Sequence, residues 1–250
     1  MVTLKSEREL NQMRKAGAAV AQILGEMVKL VQPGISTGEI DRFAESRCKD
    51  LGVLPAFKGY HGFPATVCIS VNDEVVHGIP SPKRLLRDGD IVGLDFGVSY
   101  EGWFGDSART IPVGKISKAA LDLIDATRES LAKGISECRE GNTVQDIGAA
   151  IQNYVEGFGY GVVREFVGHG IGRALHEDPQ VPNYGTRGKG LLLKAGMVLA
   201  IEPMINAGGR EVKVLRDGWT AVTVDRSLSA HFEHTVVITP NGPEILTRYE

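Results

Sequence analysis

Ile91-Val-Gly-Leu-Asp95-Phe-Gly97 is the stretch that decides the fold, since it reads as a buried strand with one carboxylate in its middle. Phe104-Gly-Asp106-Ser-Ala108 sets a second carboxylate on the next strand, after the turn-like Glu101-Gly102. Two antiparallel strands joined by so short a loop bring the two acids close together. Burying one unpaired carboxylate already costs roughly several kcal/mol, so two of them need a cation nearby.

The same pattern returns later in the chain. Val198-Leu-Ala-Ile-Glu202 and His231-Phe-Glu233 are apolar, strand-like runs interrupted by an acid, and Val167-Gly-His169-Gly brackets a histidine with glycines. One strand carboxylate alone is commonly salt-bridged, but the few basic residues near these positions lie on loops. We therefore interpret five residues together as a metal site: Asp95, Asp106, His169, Glu202 and Glu233.

The donor types narrow the choice of metal. Oxygen-rich ligation with one imidazole favours hard or borderline cations such as Mn(II), Fe(II) or Co(II). Four carboxylates carry more charge than one divalent ion neutralises, so we infer two ions that share bridging carboxylates.

Helical patterns occur in two pairs, each followed by strands. The predicted helices run from Ser6 towards Pro33-Gly34, from Ser36 to Gly52, from Lys118 to about Cys138, and from Asn142 to Phe158. Strict alternation predicts a strand at Thr66–Val71, and Asp217-Gly218 predicts the turn of a later hairpin.

This repetition predicts one domain, 1–250, built from two halves at about 1–115 and 116–250. Because each half contributes acids, the site is expected where the halves meet. Helix pairs combined with antiparallel hairpins predict an α+β fold, in which the helices cover one face of a curved antiparallel sheet.

Composition excludes several classes of protein. The chain has 250 residues, 42% of them hydrophobic, which is enough for a sizeable core. A net charge of −3 without a basic run gives no support for nucleic-acid binding. Cys48, Cys68 and Cys138 lie far apart, which fits a reduced compartment. Neither a signal peptide nor a membrane-spanning stretch is visible, so a cytoplasmic location is expected.

Five motifs give the chain a family resemblance. They are Val76-His77-Gly-Ile-Pro80, Gly168-His169-Gly-Ile-Gly172, His176-Glu-Asp-Pro179, Ile201-Glu202-Pro-Met204 and Phe232-Glu233-His234-Thr235. In this order they resemble the methionine aminopeptidases of the pita-bread M24 metallopeptidase family, and the match is similar to the short bacterial type I enzymes. It extends over essentially the whole chain and implies the pita-bread fold.

The resemblance implies removal of the initiator methionine from nascent proteins, favoured when the second residue is small, by a hydroxide that bridges two divalent ions (Co, Mn or Fe). It assigns Asp95 to one ion and His169 with Glu202 to the other, while Asp106 and Glu233 bridge both. Glu202 is also expected to shuttle the proton.

Further site residues follow from the same resemblance. His77 is expected to contact the scissile amide, and His176 to stabilise the tetrahedral intermediate. The methionine side chain is expected against Tyr60, Phe63, Cys68 and Trp219, with Phe57 and Leu175 at the rim, where some relatives carry cysteine and phenylalanine. His61, His231 and His234 have weaker claims, and His234 is expected on the opposite face of its strand.

The expected partners are nascent polypeptide N-termini and, by resemblance, the ribosome near its exit, with the protein acting as a monomer. Two alternatives stay open. A prolidase or aminopeptidase P uses the same five ligands, but it carries a large extra N-terminal domain, whereas the first ligand here is already at Asp95. A non-catalytic binding module on this fold is disfavoured because all five ligands are present.

Overall fold

The computed structural model describes residues 2–249, and four α-helices lie in this range. They are α1 (Glu7–Leu30), α2 (Thr37–Leu51), α3 (Lys118–Ser136) and α4 (Val144–Glu156). The capping box at Ser36 is present, since Glu39 N–H donates to Ser36 Oγ at 3.2 Å and Ser36 N–H donates to Glu39 Oε2 at 2.9 Å. The two helix pairs are confirmed. No helix in 2–249 is long and apolar enough to cross a membrane.

Five strands precede α3, and ten follow α4. The first five are β1 (Leu54–Pro55), β2 (Cys68–Val71), β3 (Glu74–Val76), β4 (Ile91–Tyr100) and β5 (Trp103–Pro112), with a 3-10 turn at Tyr60–Gly62. The later strands are β6 (Gly161–Val162), β7 (Gly168–Gly170), β8 (Glu177–Val181), β9 (Val198–Ile201), β10 (Met204–Asn206), β11 (Val212–Val214), β12 (Ala221–Thr223), β13 (Ser229–His231), β14 (His234–Thr239) and β15 (Gly242–Ile245).

Every strand pairing within residues 2–249 is antiparallel, which confirms the α+β prediction. The strands form four hydrogen-bonded sheets, and two of these carry most of the site. In one, β4 pairs with β1, β2 and β5. The other has the strand order β15-β14-β9-β7-β8. An isolated bridge between Arg109 and Phe232 connects β5 to the segment between β13 and β14.

Each helix pair covers the strands of its own part of the chain. Ile23, Leu24 and Ile40 pack into one core with the inner face of β4, whereas Leu123 and Ile147 pack into another with residues of β9 and β14. Burial of these apolar faces holds the helices against the sheets.

A detail of the backbone recurs in both parts of the chain. The N-cap residue of the second helix in each pair forms an isolated antiparallel bridge with a leucine, Ser36 with Leu85 and Thr143 with Leu192. This correspondence supports an internal repeat, and the division into two halves stays a prediction.

Helix α1 lies so close to the rest of the fold that one of its glycines has no room for a side chain. A Cβ on Gly17 would overlap the carbonyl of Leu246, whereas a Cβ on Gly25 of the same helix would meet nothing within 4 Å. We expect Gly17→Ala to lower the free energy of unfolding by about 2 kcal/mol through overpacking. Gly25→Ala should raise it by about 0.5–1 kcal/mol through helix propensity. Urea unfolding of both variants measures this, and equal effects would contradict the close packing.

Candidate active site

The β4–β5 hairpin places two carboxylates on one face of the sheet. Gly97 pairs with Asp106 and Asp95 pairs with Ala108, so the two acids are diagonal neighbours across the ladder. The connecting residues, Glu101 and Gly102, have φ values of 50° and 78°, as a two-residue hairpin turn requires. The predicted proximity is therefore present. Oδ1 of each acid is buried and has no hydrogen-bond partner among residues 2–249.

The second part of the chain adds three residues to the same place. His169 lies on β7, as predicted. The two glutamates lie at strand ends rather than within strands. Glu202 follows β9 because Pro203 cannot donate a ladder hydrogen bond. Glu233 interrupts β13 and β14 because its N–H donates across to the Ala108 carbonyl at 2.9 Å.

The donor atoms of this group lie close together. One ligand atom each of Asp106, His169 and Glu233 lie within 4.8 Å of one another. Nε2 of His169 is 3.6 Å from Oε1 of Glu202. Nδ1 of His169 lies 2.9 Å from the Gly170 carbonyl, which only accepts, so Nδ1 carries the proton and Nε2 keeps its lone pair. This is the arrangement that a metal-ligating imidazole needs.

Electrostatics show that the group lacks a counter-charge. Burial raises the pKa of all four carboxyls, and for Asp106 and Glu233 the charges of neighbouring acids raise it further. Within residues 2–249 Glu202 lies within ion-pair distance of two histidines, His169 and His231. Burial lowers the pKa of His169 to about 3, which leaves its imidazole neutral. Buried, unpaired carboxylate oxygens beside a neutral imidazole fit a divalent cation.

A cavity of about 450 Å³ brings all the predicted site residues together. It is lined by Phe57, Tyr60, His61, Phe63, Cys68, His77, Asp95, Asp106, His169, Leu175, His176, Glu202, Trp219 and Glu233. The acids therefore share one space with the residues predicted to receive the methionine side chain.

The walls of this cavity are aromatic and apolar. Phe63 and Trp219 meet edge to face with their centroids 5.2 Å apart. Phe57 and Leu175, predicted at the rim, are 8% and 2% exposed and form part of the wall instead. Phe57 is buried because Gly97 has no side chain. A Cβ on Gly97 would lie 3.0 Å from the phenyl Cε1, so its absence lets the ring pack against β4.

Two more histidines face the cavity from loops. His77 has a φ of 60°, an uncommon left-handed conformation for a non-glycine residue, and burial lowers its pKa to about 4. His176 lies with its ring centroid 4.2 Å from that of His169. Its Nδ1 is 2.7 Å from the hydroxyl oxygen of Tyr60.

His231 is the residue whose position the sequence analysis undervalued. Its imidazole is 4% exposed, and Nε2 lies 3.6 Å from Oε2 of Glu202 without a hydrogen-bond partner in the described chain. Side chains two residues apart on an extended backbone share a face, so its spacing from Glu233 was the available signal. His61 also lines the cavity, whereas His234 bonds Thr247 at 3.0 Å, away from it.

Comparison with known proteins identifies the family to which the chain belongs. The model of metallopeptidase family M24 matches residues 11–240. The chain belongs to this family. Within it, the chain belongs with the methionine aminopeptidases, and it is a metal-dependent hydrolase. Methionine aminopeptidase 1 of Bacillus subtilis is 54% identical over 99% of this chain and 100% of its own.

Solved structures agree with this placement. The crystal structure of methionine aminopeptidase from Thermotoga maritima superimposes with a TM-score of 0.98 at 48% identity, covering 99% of this chain and 100% of that one. The prolidase from Pyrococcus horikoshii gives a TM-score of 0.79 at 26% identity and is covered over only 64% of its length.

In this M24 peptidase, the loop that carries His176 is fastened to the N-terminal segment. Lys5 Nζ lies 2.7 Å from Glu177 Oε2, and Glu177 Oε1 accepts from the backbone N–H groups of Arg173 and Ala174. Burial alone would raise the pKa of Glu177, but the Lys5 ammonium and these N–H groups outweigh it and hold the pKa below its usual range.

Removing this fastening should destabilise the peptidase. The side chains of Lys5 and Glu177 are 3% and 19% exposed, so Lys5→Met should lower the free energy of unfolding by about 3 kcal/mol at pH 7. Because the folded pKa of Glu177 is depressed, the difference should shrink as the pH falls below about 4.3. Lys118→Met removes an exposed pair with Asp122 and should cost less than about 1 kcal/mol. Urea titrations at several pH values measure both, and similar losses would argue against the anchor.

Proposed function

We propose that this methionine aminopeptidase removes the initiator methionine from nascent proteins, preferentially when the second residue is small, and that its whole chain, 1–250, forms a single catalytic domain. The observation that carries the proposal is the shared cavity, where uncompensated carboxylates lie beside an aromatic and thiol-lined pocket. A peptide N-terminus that enters such a space meets the charged floor with its amine and the apolar wall with its first side chain.

Two divalent ions (Co, Mn or Fe) are proposed as cofactors. As the family resemblance implies, Asp95 would hold one, His169 with Glu202 the other, and Asp106 with Glu233 both. Asp95, Asp106 and Glu233 each have a buried oxygen without a hydrogen-bond partner among residues 2–249, and donor atoms of Asp106, His169 and Glu233 lie within 4.8 Å of one another, which supports a metal centre here. When bound, such ions lower the pKa of a coordinated water and polarise a scissile carbonyl.

Glu202 is proposed to transfer the proton from the attacking water to the leaving amine. Its carboxylate lies between two imidazoles, with one oxygen 3.6 Å from His169 and the other 3.6 Å from His231. In the metal-free cavity, burial raises the pKa of Glu202 to about 8. A carboxylate at this position is within reach of both the attacking water and the leaving amine, as a proton-transfer group must be.

His77 and His176 are proposed to act on the scissile peptide itself. Both line the cavity from loops. His77 would contact the amide, and His176 would donate to the oxygen that gains charge in the tetrahedral intermediate. His77 is confined between neighbouring rings, with Phe166 at 5.3 Å and Trp219 at 6.4 Å between centroids.

The methionine side chain is proposed to lie against Tyr60, Phe63, Cys68 and Trp219. Aromatic edges and a buried thiol are favourable neighbours for a thioether sulfur. The same cavity, of about 450 Å³, is lined by these residues and by the five predicted metal ligands.

The proposed setting is the cytoplasm, with the peptidase acting as a monomer on chains that emerge from the ribosome. Cys48, Cys68 and Cys138 are free thiols and buried, in keeping with a reducing compartment. The net charge of −3 gives no support for direct binding of nucleic acid.

Release of methionine from Met-Ala-Ser by protein loaded with Mn(II), Fe(II) or Co(II) tests the function. Asp106→Asn should lower kcat/KM by about a hundredfold or more, because it removes a shared charged ligand. Asp122→Asn, on the exposed surface of α3, is the matched control and should keep full activity. Cleavage of an X-Pro dipeptide instead of Met-Ala-Ser, or turnover that Asp106→Asn leaves intact, would contradict the proposal.

Metal binding should depend on pH. The carboxyls have raised pKa values in the metal-free protein and must lose protons to bind an ion, so affinity should fall by about tenfold or more from pH 8 to pH 6. Calorimetric titration with Mn(II) in buffers of different ionisation enthalpy measures the affinity, the released protons and the number of ions. A single ion at saturation would contradict the dinuclear assignment, and pH-independent binding would contradict the raised pKa values of the carboxyls.

A further inference from the structure

The loop that carries Tyr60 is a compact, hydrogen-bonded unit. Tyr60 N–H donates to Phe57 O at 2.9 Å, Phe63 N–H donates to Tyr60 O at 2.9 Å, and Gly59 N–H donates to Phe63 O at 2.8 Å. Gly59 and His61 take left-handed φ values of 86° and 47° to close it. The phenol ring is therefore held at the mouth of the cavity by a hydrogen-bonded turn.

The phenol meets His176 across this mouth. The distance between the Tyr60 hydroxyl oxygen and His176 Nδ1 is 2.7 Å, within the range of a strong hydrogen bond. The two rings are tilted by 42° with centroids 5.2 Å apart, so they meet through their polar atoms rather than by stacking. His176 is the only hydrogen-bond partner that the Tyr60 side chain has among residues 2–249.

The direction of this hydrogen bond is assigned by counting the protons that the two side chains supply, since the roles of the ring nitrogens depend on the tautomer. A phenol has one proton to donate, and burial raises the pKa of Tyr60, so the proton is retained at neutral pH. If Nδ1 of His176 carried the imidazole proton and donated it, the phenol proton would have no acceptor in the described chain. Donation by the phenol to Nδ1 satisfies both groups and puts the imidazole proton on Nε2.

We propose that Tyr60 is a positioning residue that fixes His176 in the Nε2–H tautomer. Nδ1 accepts the hydrogen bond from Tyr60 and therefore carries no proton. Nε2, the other ring nitrogen, is then protonated and can only donate. A donor is what a developing oxyanion requires, and the wrong tautomer would present a lone pair to it. This role rests on the proposed function of His176 in the same cavity.

The tautomer is read directly by NMR. The full chain, labelled with ¹⁵N-histidine and loaded with diamagnetic Zn(II), gives two-bond ¹H–¹⁵N correlations for its six histidines, and His176→Ala assigns the signals of His176. We expect an unprotonated, hydrogen-bonded Nδ1 and a protonated Nε2 in the parent protein, and a mixture of tautomers in Tyr60→Phe. A protonated Nδ1 in the parent protein would overturn the proposal, even where Tyr60→Phe failed to fold.

Kinetics with Met-Ala-Ser test the consequence. Tyr60→Phe keeps the ring in the pocket and should lower kcat by about three- to tenfold while KM changes less than about twofold. The same change in a His176→Ala background should cause no further loss, since Tyr60 acts through His176. Tyr160→Phe, a hydroxyl outside the cavity, is the control. An equal loss in both backgrounds, or a change in KM alone, would assign Tyr60 to substrate contact only.

Failure of this inference is distinguishable from failure of the proposed function. A parent protein that releases no methionine with any of the ions would refute the aminopeptidase assignment, whereas the NMR measurement would still determine the tautomer of His176. Normal turnover by the parent protein, unchanged in Tyr60→Phe, would refute the positioning role alone.

Discussion

Mutual repulsion among four buried carboxylates is the constraint on which the rest of the structure depends. Burial raises the pKa of each, and no lysine or arginine in residues 2–249 forms an ion pair with Asp95, Asp106, Glu202 or Glu233. Left to relax, strands that carry such charges would separate. The fold instead holds the oxygens together, so that the binding energy of a cation goes into occupying the site rather than assembling it.

Threonine and serine hydroxyl groups that hydrogen-bond to the backbone of a neighbouring strand keep these strands together. Thr235 Oγ1 accepts from Asp106 N–H at 3.0 Å and donates to Asp106 O at 2.8 Å. Thr110 forms the same reciprocal pair with the backbone of His231, at 2.9 Å and 3.0 Å. Ser107 Oγ donates to Glu233 O at 2.6 Å. These contacts join β5 to the segment that carries Glu233, where a single isolated bridge would otherwise be the main link. Side-chain hydroxyl groups thus supply hydrogen bonds where β5 and the segment that carries Glu233 lack continuous backbone pairing.

Local patterns in the sequence predict those elements that depend on neighbouring residues alone. The hairpin follows from the run of apolar residues around Asp95 and the turn at Glu101, and the helices follow from their caps and periodicity. The pairing of Lys5 with Glu177 could not be foreseen, since it joins residues 172 apart in the chain through a tertiary contact. The strand breaks at the two glutamates also depend on neighbouring chain segments. His231 was within reach, because its alternation with the following ligand is visible in the sequence.

The two sides of the cavity are held in different ways, but they share strands. The carboxylates lie on strands joined by buried hydroxyl groups, whereas His77 and His176 lie on loops that are each held by a few contacts. The apolar wall is built on the ligand strands themselves, since Cys68 of β2 pairs with Asp95 of β4. The Phe57 ring packs against Gly97, the residue that pairs with Asp106. A change of side-chain volume in this part of the wall therefore acts on the strand that carries a ligand, so the shape of the pocket and the geometry of the charged centre are constrained together.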